Sequence, residues 1–279
     1  MLACLLCSLA AAAAPTPALP PSHGHDALRA ARRVTAYGIR PAASDAERRT
    51  HAFAARAFRR AGLDVTIQRF RVPGHGRSRN VIARHLTKAD CLHILMAHTD
   101  TTAFGPGAND NASGVGVLVA ISKRLARLRP RCDVWLVATG AEERIYTGSP
   151  DHLGALALAR RARNRGAKRR LRFALSLDEV GRDRPFWLRS PAAGPRSSVE
   201  GAILHAARRA GVNASWVRDE STGNSDHREF ELLGLPAAKL GVGAGGEPCR
   251  HMPCDSTSRL DRHSLALAQR LAERTLTAR

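Results

Sequence analysis

Cys91-Leu92-His93-Ile94-Leu95-Met96-Ala97-His98-Thr99-Asp100 is a largely apolar run that ends in a histidine and a carboxylate. The stretch Leu92–Ala97 has the length and composition of an apolar strand. The same cadence recurs twice. Val134–Ala138 runs into Gly140-Ala141-Glu142-Glu143, and Leu171–Leu177 runs into Asp178-Glu179. In an open α/β sheet, sites form beyond the carboxyl ends of the strands. One strand ending in an acid is ordinary; three such endings point to a shared site.

Working outward, helical patterns cover 26–37 and 44–61. In the second, Ser44 is placed as N-cap with Glu47 three residues on, a capping-box signature, and Gly62 ends it. Val65–Phe70 and Asn80–Arg84 read as strands. Ala112–Leu128, Leu153–Arg163, Ser198–Ala210 and Ser258–Thr277 read as helices, and Ala237–Leu240 as a short strand. Strands alternate with helices, which predicts an α/β fold with a largely parallel sheet. Neither an internal repeat nor a sharp change of composition follows residue 26, so 26–279 reads as a single domain.

The net charge of +20 invites an anionic partner. Only four basic residues are lysines (Lys88, Lys123, Lys168 and Lys239), as GC-rich codon usage would give. The arginines are scattered, with a modest cluster from Arg160 to Arg172 and no aromatic platform beside it. No nucleic-acid partner is expected.

Residues 1–14 are apolar and end in an alanine run, which reads as a signal peptide without the usual basic start. They are too few for a membrane span, which needs about 20 apolar residues. Residues 15–25 form a Pro-rich linker or tail. A secreted or periplasmic protein without stable membrane insertion is expected. Cys4 and Cys7 would leave with the leader. Cys91, Cys132, Cys249 and Cys254 remain, an even count that fits an oxidising compartment. A Cys249–Cys254 disulfide would stiffen the loop holding His251. A rival zinc site built from Cys249, His251 and Cys254 lacks the spacing of common structural sites. Cys91 and Cys132 each begin a strand and can bridge if those strands are neighbours.

Taken singly, each candidate residue has an ordinary reading. His98-x-Asp100 is a strand-end turn, or a zinc ligand whose tautomer a carboxylate fixes. Asp110, in Gly107-Ala108-Asn109-Asp110-Asn111-Ala112-Ser113-Gly114, is a helix N-cap or a carboxylate that bridges two metals. Glu142 and Glu143 are a solvated pair, or one binds a cation while the other takes a proton from water. Ser225-Asp226-His227 is a loop, or a support for nearby ligands. Two Asn-x-Ser sequons, at Asn111 and Asn213, are discounted as glycan sites because the first adjoins Asp110.

Taken in order, the segments resemble the two-zinc aminopeptidases of the bacterial leucine aminopeptidase type, in the zinc exopeptidase superfamily. The resemblance runs from about Asn80 to Ser256. It rests on Asn80-Val81-Ile82-Ala83, His98-x-Asp100, Asn109-Asp110-Asn111-x-Ser113-Gly114, Glu142-Glu143 with Gly148-Ser149, Asp178, Ser225-Asp226-His227 and His251-x-Pro253-x-Asp255. It implies a three-layer sandwich with a mixed, largely parallel central sheet flanked by helices. It implies two zinc ions, the first on His98 and Asp178, the second on Glu143 and His251, with Asp110 bridging. Glu142 would be the general base and Asp100 the support of His98. The implied substrates are peptides with a free N-terminus, and a monomer is expected. Arg250 stands where the family often has a tyrosine that helps the developing oxyanion. An arginine there can serve an oxyanion or bind a substrate carboxylate.

Two other enzymes fit the same scaffold. A glutaminyl cyclase-like acyltransferase would use one zinc, which the near-complete two-metal set disfavours. A carboxypeptidase would gain from Arg250, but Asp178 to Ser225 is too short for the dimerisation insert such relatives usually carry.

Overall fold

The computed structural model describes residues 23–278 apart from 183–184, 221–222 and 244–245. The expected leader 1–14, with Cys4 and Cys7, and residues 15–22 of the Pro-rich segment lie outside the described residues. Residues just before 26 take part in the packing. His23 is buried with its Nε2 3.2 Å from the Glu273 carboxylate.

The helix α1 (His25–Thr35) is followed by α2 (Asp45–Arg60). Ser44 caps α2 by accepting the Glu47 amide, as expected. The Glu47 side chain, however, reaches the Ala43 amide rather than that of Ser44. The strands β1 (Asp64–Val72), β2 (Gly76–His85) and β3 (Leu92–His98) come next. After a turn at Ala108–Ala112 come α3 (Ser113–Ser122), α4 (Leu125–Leu128) and β4 (Asp133–Thr139). The rest is α5 (Leu153–Asn164), α6 (Ala167–Arg170), β5 (Leu171–Leu177), β6 (Phe186–Ser190), α7 (Ala202–Ala210), β7 (Ala214–Arg218), α8 (His227–Leu232), β8 (Ala237–Gly241) and α9 (Arg262–Thr277).

One sheet of eight strands runs in the order β1-β2-β4-β3-β5-β8-β6-β7. The central strands β4, β3, β5 and β8 are parallel, while β1, β2 and the β8–β6 junction are antiparallel. Side chains alternate across such a sheet. Leu95 and Ala97 of β3 therefore join the core beneath α1, α3 and α9, while Ile94 and Met96 face the core beneath α5 and α8. Burial on both sides explains the nearly unbroken apolar runs.

Several elements depart from the sequence reading, and the expected helix over Ser258–Thr277 is regular only from Arg262. The expected helix Ala112–Leu128 is broken, because Lys123 and Arg124 turn the chain before α4. It then ends at Arg129, which has a left-handed φ of 52° ahead of Pro130. The expected helix over Ser198–Ala210 is regular only from Ala202. The strands β6 and β7 went unread because each is five residues long and only partly buried, too little for an alternating pattern to show.

Cys91 and Cys132 form a disulfide with their Cα atoms 4.8 Å apart, since β3 and β4 start side by side. Cys249 and Cys254 form a second, closing the loop that holds His251.

Candidate active site

The central strands end together, so their next residues share one space. His98 closes β3, Glu142 and Glu143 follow β4, Asp178 follows β5, and His251 lies beyond β8. His98 is buried, and its Nδ1 lies 3.2 Å from the backbone carbonyl of Asp100. Donating a proton there leaves the Nε2 lone pair for a metal. Nε2 points at Asp110 Oδ1 (3.1 Å) and Asp178 Oδ1 (3.5 Å). The Asp100 carboxylate is farther off, 3.8 Å from Nδ1. It is closer to two amides and accepts both Glu142 N–H (3.1 Å) and Glu143 N–H (2.9 Å).

Asp110 does not cap α3. Asn111 does that work, taking the Gly114 amide on Oδ1 while its own amide donates to the Leu177 carbonyl. Asn111 is wholly buried, so the first sequon offers no glycan site. Asp255 accepts the backbone amides of Asn109 and Asp110 and so fixes the turn. Gly107 is required here: it has a φ of 56°, and a Cβ on it would lie 2.2 Å from the Asp110 carbonyl oxygen.

So held, the Asp110 carboxylate faces two histidines with different oxygens. Oδ1 lies toward His98, and Oδ2 is 3.3 Å from His251 Nε2. His251 Nε2 is also 2.9 Å from Glu143 Oε1. The donor atoms of His98, Asp110 and Asp178 form one group within 4.8 Å of one another, and those of Asp110, Glu143 and His251 form another. Glu142 also falls within reach of His98 and Glu143, but its nearest ionic partner is His152 Nε2, at 3.1 Å.

The electrostatics call for cations. Burial pulls the His98 imidazole down, but Glu142, Asp110 and Asp178 outweigh it and hold it well above its usual value. Hydrogen bonds that its Nε2–H donates to Asp110 and Glu143 push His251 up to about 10. Burial, then the Asp110 charge, push Glu143 up to about 8. Among the described residues, Asp178 Oδ1 is buried without a hydrogen-bond partner, a costly state for a carboxylate oxygen. Its other oxygen accepts from Ser225 Oγ (2.8 Å) and pairs with Lys239 Nζ (2.8 Å). Three carboxylates and two imidazoles are a donor set that zinc accepts.

Several residues of the site were not read from the sequence. His152 starts α5 with a φ of 50°, and a lone histidine at a helix start carries no signal. Lys239 had one: a lysine within the apolar strand Ala-Ala-Lys-Leu-Gly, in a chain whose basic residues are mostly arginine. Glu179 binds Arg250 through Nε (2.7 Å) and Nη2 (2.5 Å), so the Arg250 charge is already matched. Asp226 accepts from Thr139 and His227 pairs with Asp219, so of Ser225-Asp226-His227 only Ser225 touches a candidate ligand. The groups line a cavity of about 980 Å³ whose walls include the exposed side chains of Phe104 and Tyr146.

The sequence pattern described as Peptidase family M28 matches residues 80–276. The chain belongs to peptidase family M28. Among the relatives, leupeptin-inactivating enzyme 1 of Streptomyces exfoliatus is 28% identical over an alignment of 235 residues that covers 75% of this chain and 51% of that protein. Aminopeptidase YwaD of Bacillus subtilis is 27% identical over 208 residues, 68% of this chain and 42% of that protein. The chain thus spans about half or less of the curated relatives it matches. The fold is that of a leucine aminopeptidase precursor from Bacteroides thetaiotaomicron (TM-score 0.81, 20% identity, covering 94% of this chain and 99% of that one). It is also that of a zinc aminopeptidase from Bacillus subtilis (TM-score 0.81, 17% identity, 93% and 95%). A glutaminyl cyclase from Bacteroides thetaiotaomicron shares it too (TM-score 0.80, 19% identity, 94% and 100%).

Proposed function

We propose that this M28 chain is a metallo-aminopeptidase with two zinc ions in one site. The observation that carries the reading is Asp110, whose two oxygens face His98 and His251 separately. His98, Asp178 and Asp110 would hold one ion, and Glu143, His251 and Asp110 the other. Bound there, zinc supplies an acidified water and polarises the scissile carbonyl. Glu142 takes the proton from water on its carboxylate and returns it to the leaving amine. His152 steadies that carboxylate, and Asp100 fixes its backbone.

Selection of the amino end follows from charge. The floor of the cavity is rich in carboxylates, which attract a free α-amine. The arginines and the lysine lining the cavity are already paired, Lys239 with Asp178, Arg250 with Glu179, and Arg144 and Arg228 with Asp151. A charged hydrogen bond is worth about 1.5–3 kcal/mol, so N-acetylation should cost about 10–100-fold in kcat/KM. The test compares an aminoacyl-amide, its N-acetyl form and an N-blocked dipeptide, with zinc measured by elemental analysis. Two zinc per chain and preference for the free amine are expected. Preference for the N-blocked dipeptide would sink the aminopeptidase reading and make Arg250 the leading specificity residue. One zinc, with cyclisation of an N-terminal glutaminyl peptide, would favour the acyltransferase.

Export is proposed alongside. Two disulfides suit an oxidising compartment, and no helix among the described residues is long and apolar enough to cross a membrane. Mass spectrometry of the protein from its native host should find residues 1–14 removed and no alkylatable thiol at Cys249 or Cys254. An intact Met1 terminus with two free thiols there would count against both.

A further inference from the structure

Residues 140–143 form the turn that carries Glu142 and Glu143. Three successive amides of this turn donate into two buried carboxylates. Ala141 N–H donates to Glu47 Oε1 (3.1 Å), and the next two donate to Asp100. Glu47 is wholly buried on α2. Its Oε1 also accepts the Ser78 hydroxyl (2.7 Å), and Oε2 accepts the Ala43 amide (2.8 Å). Helix α2, strand β2 and the turn therefore meet at one carboxylate.

The approach is close. A Cβ on Gly140 would lie 2.6 Å from Glu47 Oε1 and 2.4 Å from Ser78 Oγ. Ala141 has a φ of 53°, a conformation that a residue with a side chain adopts only when its surroundings impose it. Glu47 binds the Ala141 amide from a helix that the M28 match, 80–276, does not reach.

We propose that Glu47 is a positioning residue for the catalytic turn, holding Glu142 and Glu143 through the Ala141 amide without touching substrate. This rests on Glu142 being the general base. A misplacement of about 1 Å can cost 10²-fold in rate, which sets the scale. Glu47→Ala removes every bond. Glu47→Gln keeps an oxygen for Ser78 and Ala141 but sets its NH₂ against the Ala43 N–H.

The test uses the zinc-loaded full chain and a control, Phe58→Leu, at a core position of the same helix. Two quantities are measured well below each melting temperature: hydrogen exchange of residues 139–146, and kcat and KM on an aminoacyl-amide. Glu47→Ala should exchange faster at Ala141 to Glu143, with kcat lowered about 10–100-fold and KM within about threefold. Glu47→Gln should fall between it and the wild type, and it carries the test if Glu47→Ala does not fold. Phe58→Leu should lower the melting temperature and change neither quantity. Unchanged exchange at the turn in the Glu47 variants, or an equal loss of kcat in Phe58→Leu, overturns the proposal. A wild type without peptidase activity would sink the functional reading instead, and the exchange comparison would still decide the clamp.

Discussion

Glu142→Gln is expected to retain its zinc and lose about 10²–10⁴-fold in kcat, the usual worth of general base catalysis. The amide has the size of the carboxylate but cannot take a proton. Metal should stay because the two ligand groups that share Asp110 are complete without Glu142. The backbone should also stay, since the Asp100 carboxylate binds the amides of residues 142 and 143 rather than the side chain that changes. Activity and zinc content are measured on the same preparation. Near-normal turnover in the loaded variant would remove Glu142 from the base role. Loss of one zinc would make it a ligand, which its reach to His98 and Glu143 allows. KM should change little, because the amide keeps the size of the side chain and the other carboxylates lining the cavity are unchanged.

That much of the candidate site was legible comes from where the sequence puts its histidines and carboxylates. Residues 98, 142, 143 and 178 directly follow apolar runs, so strand register carries them to one edge of the sheet. Asp110 and His251 sit in loops, and only their order along the chain relative to the others made them readable. The N-terminal supports were not legible. Glu47 reads locally as half of a capping box, and Ser44 does accept its amide, so nothing in the sequence hints that its carboxylate turns inward to Ala141. Arg40 is a similar case. It is wholly buried, and its guanidinium donates to the carbonyls of Gly38, Thr99, Pro106 and Gly107, tying the end of β3 to the turn before Asp110. In a chain with this many arginines, composition hides such a residue. The paired cations were obscured for a related reason: whether Arg250 is free or neutralised depends on Glu179, 71 residues away in the sequence.

Asp110→Asn should be the most severe single change at the metal groups. An amide offers one oxygen where the carboxylate offers two, so it can face His98 or His251 but not serve both groups. Zinc content is expected to fall from two per chain to one or fewer. Metal assistance contributes several kcal/mol of transition-state stabilisation, and each 1.36 kcal/mol is tenfold, so kcat/KM should fall by about 10³-fold or more. The fold should survive. Asp255 holds the backbone amides of residues 109 and 110, and Asn111 ties the turn to β5, neither through the altered side chain. Stability then separates loss of metal from loss of fold. Burial raises the Asp110 carboxyl, but hydrogen bonds from His251 and His98 outweigh it and hold it below the usual carboxylate range, so the metal-free variant loses that pairing and should melt somewhat lower than metal-free wild type. Zinc stabilises only the folded form, so the rise in melting temperature on adding it should shrink in the variant. A variant that keeps two zinc ions and the full rise would show that Asp110 does not bridge. The two metal groups would then have to be rebuilt around Glu142, which already lies within reach of His98 and Glu143.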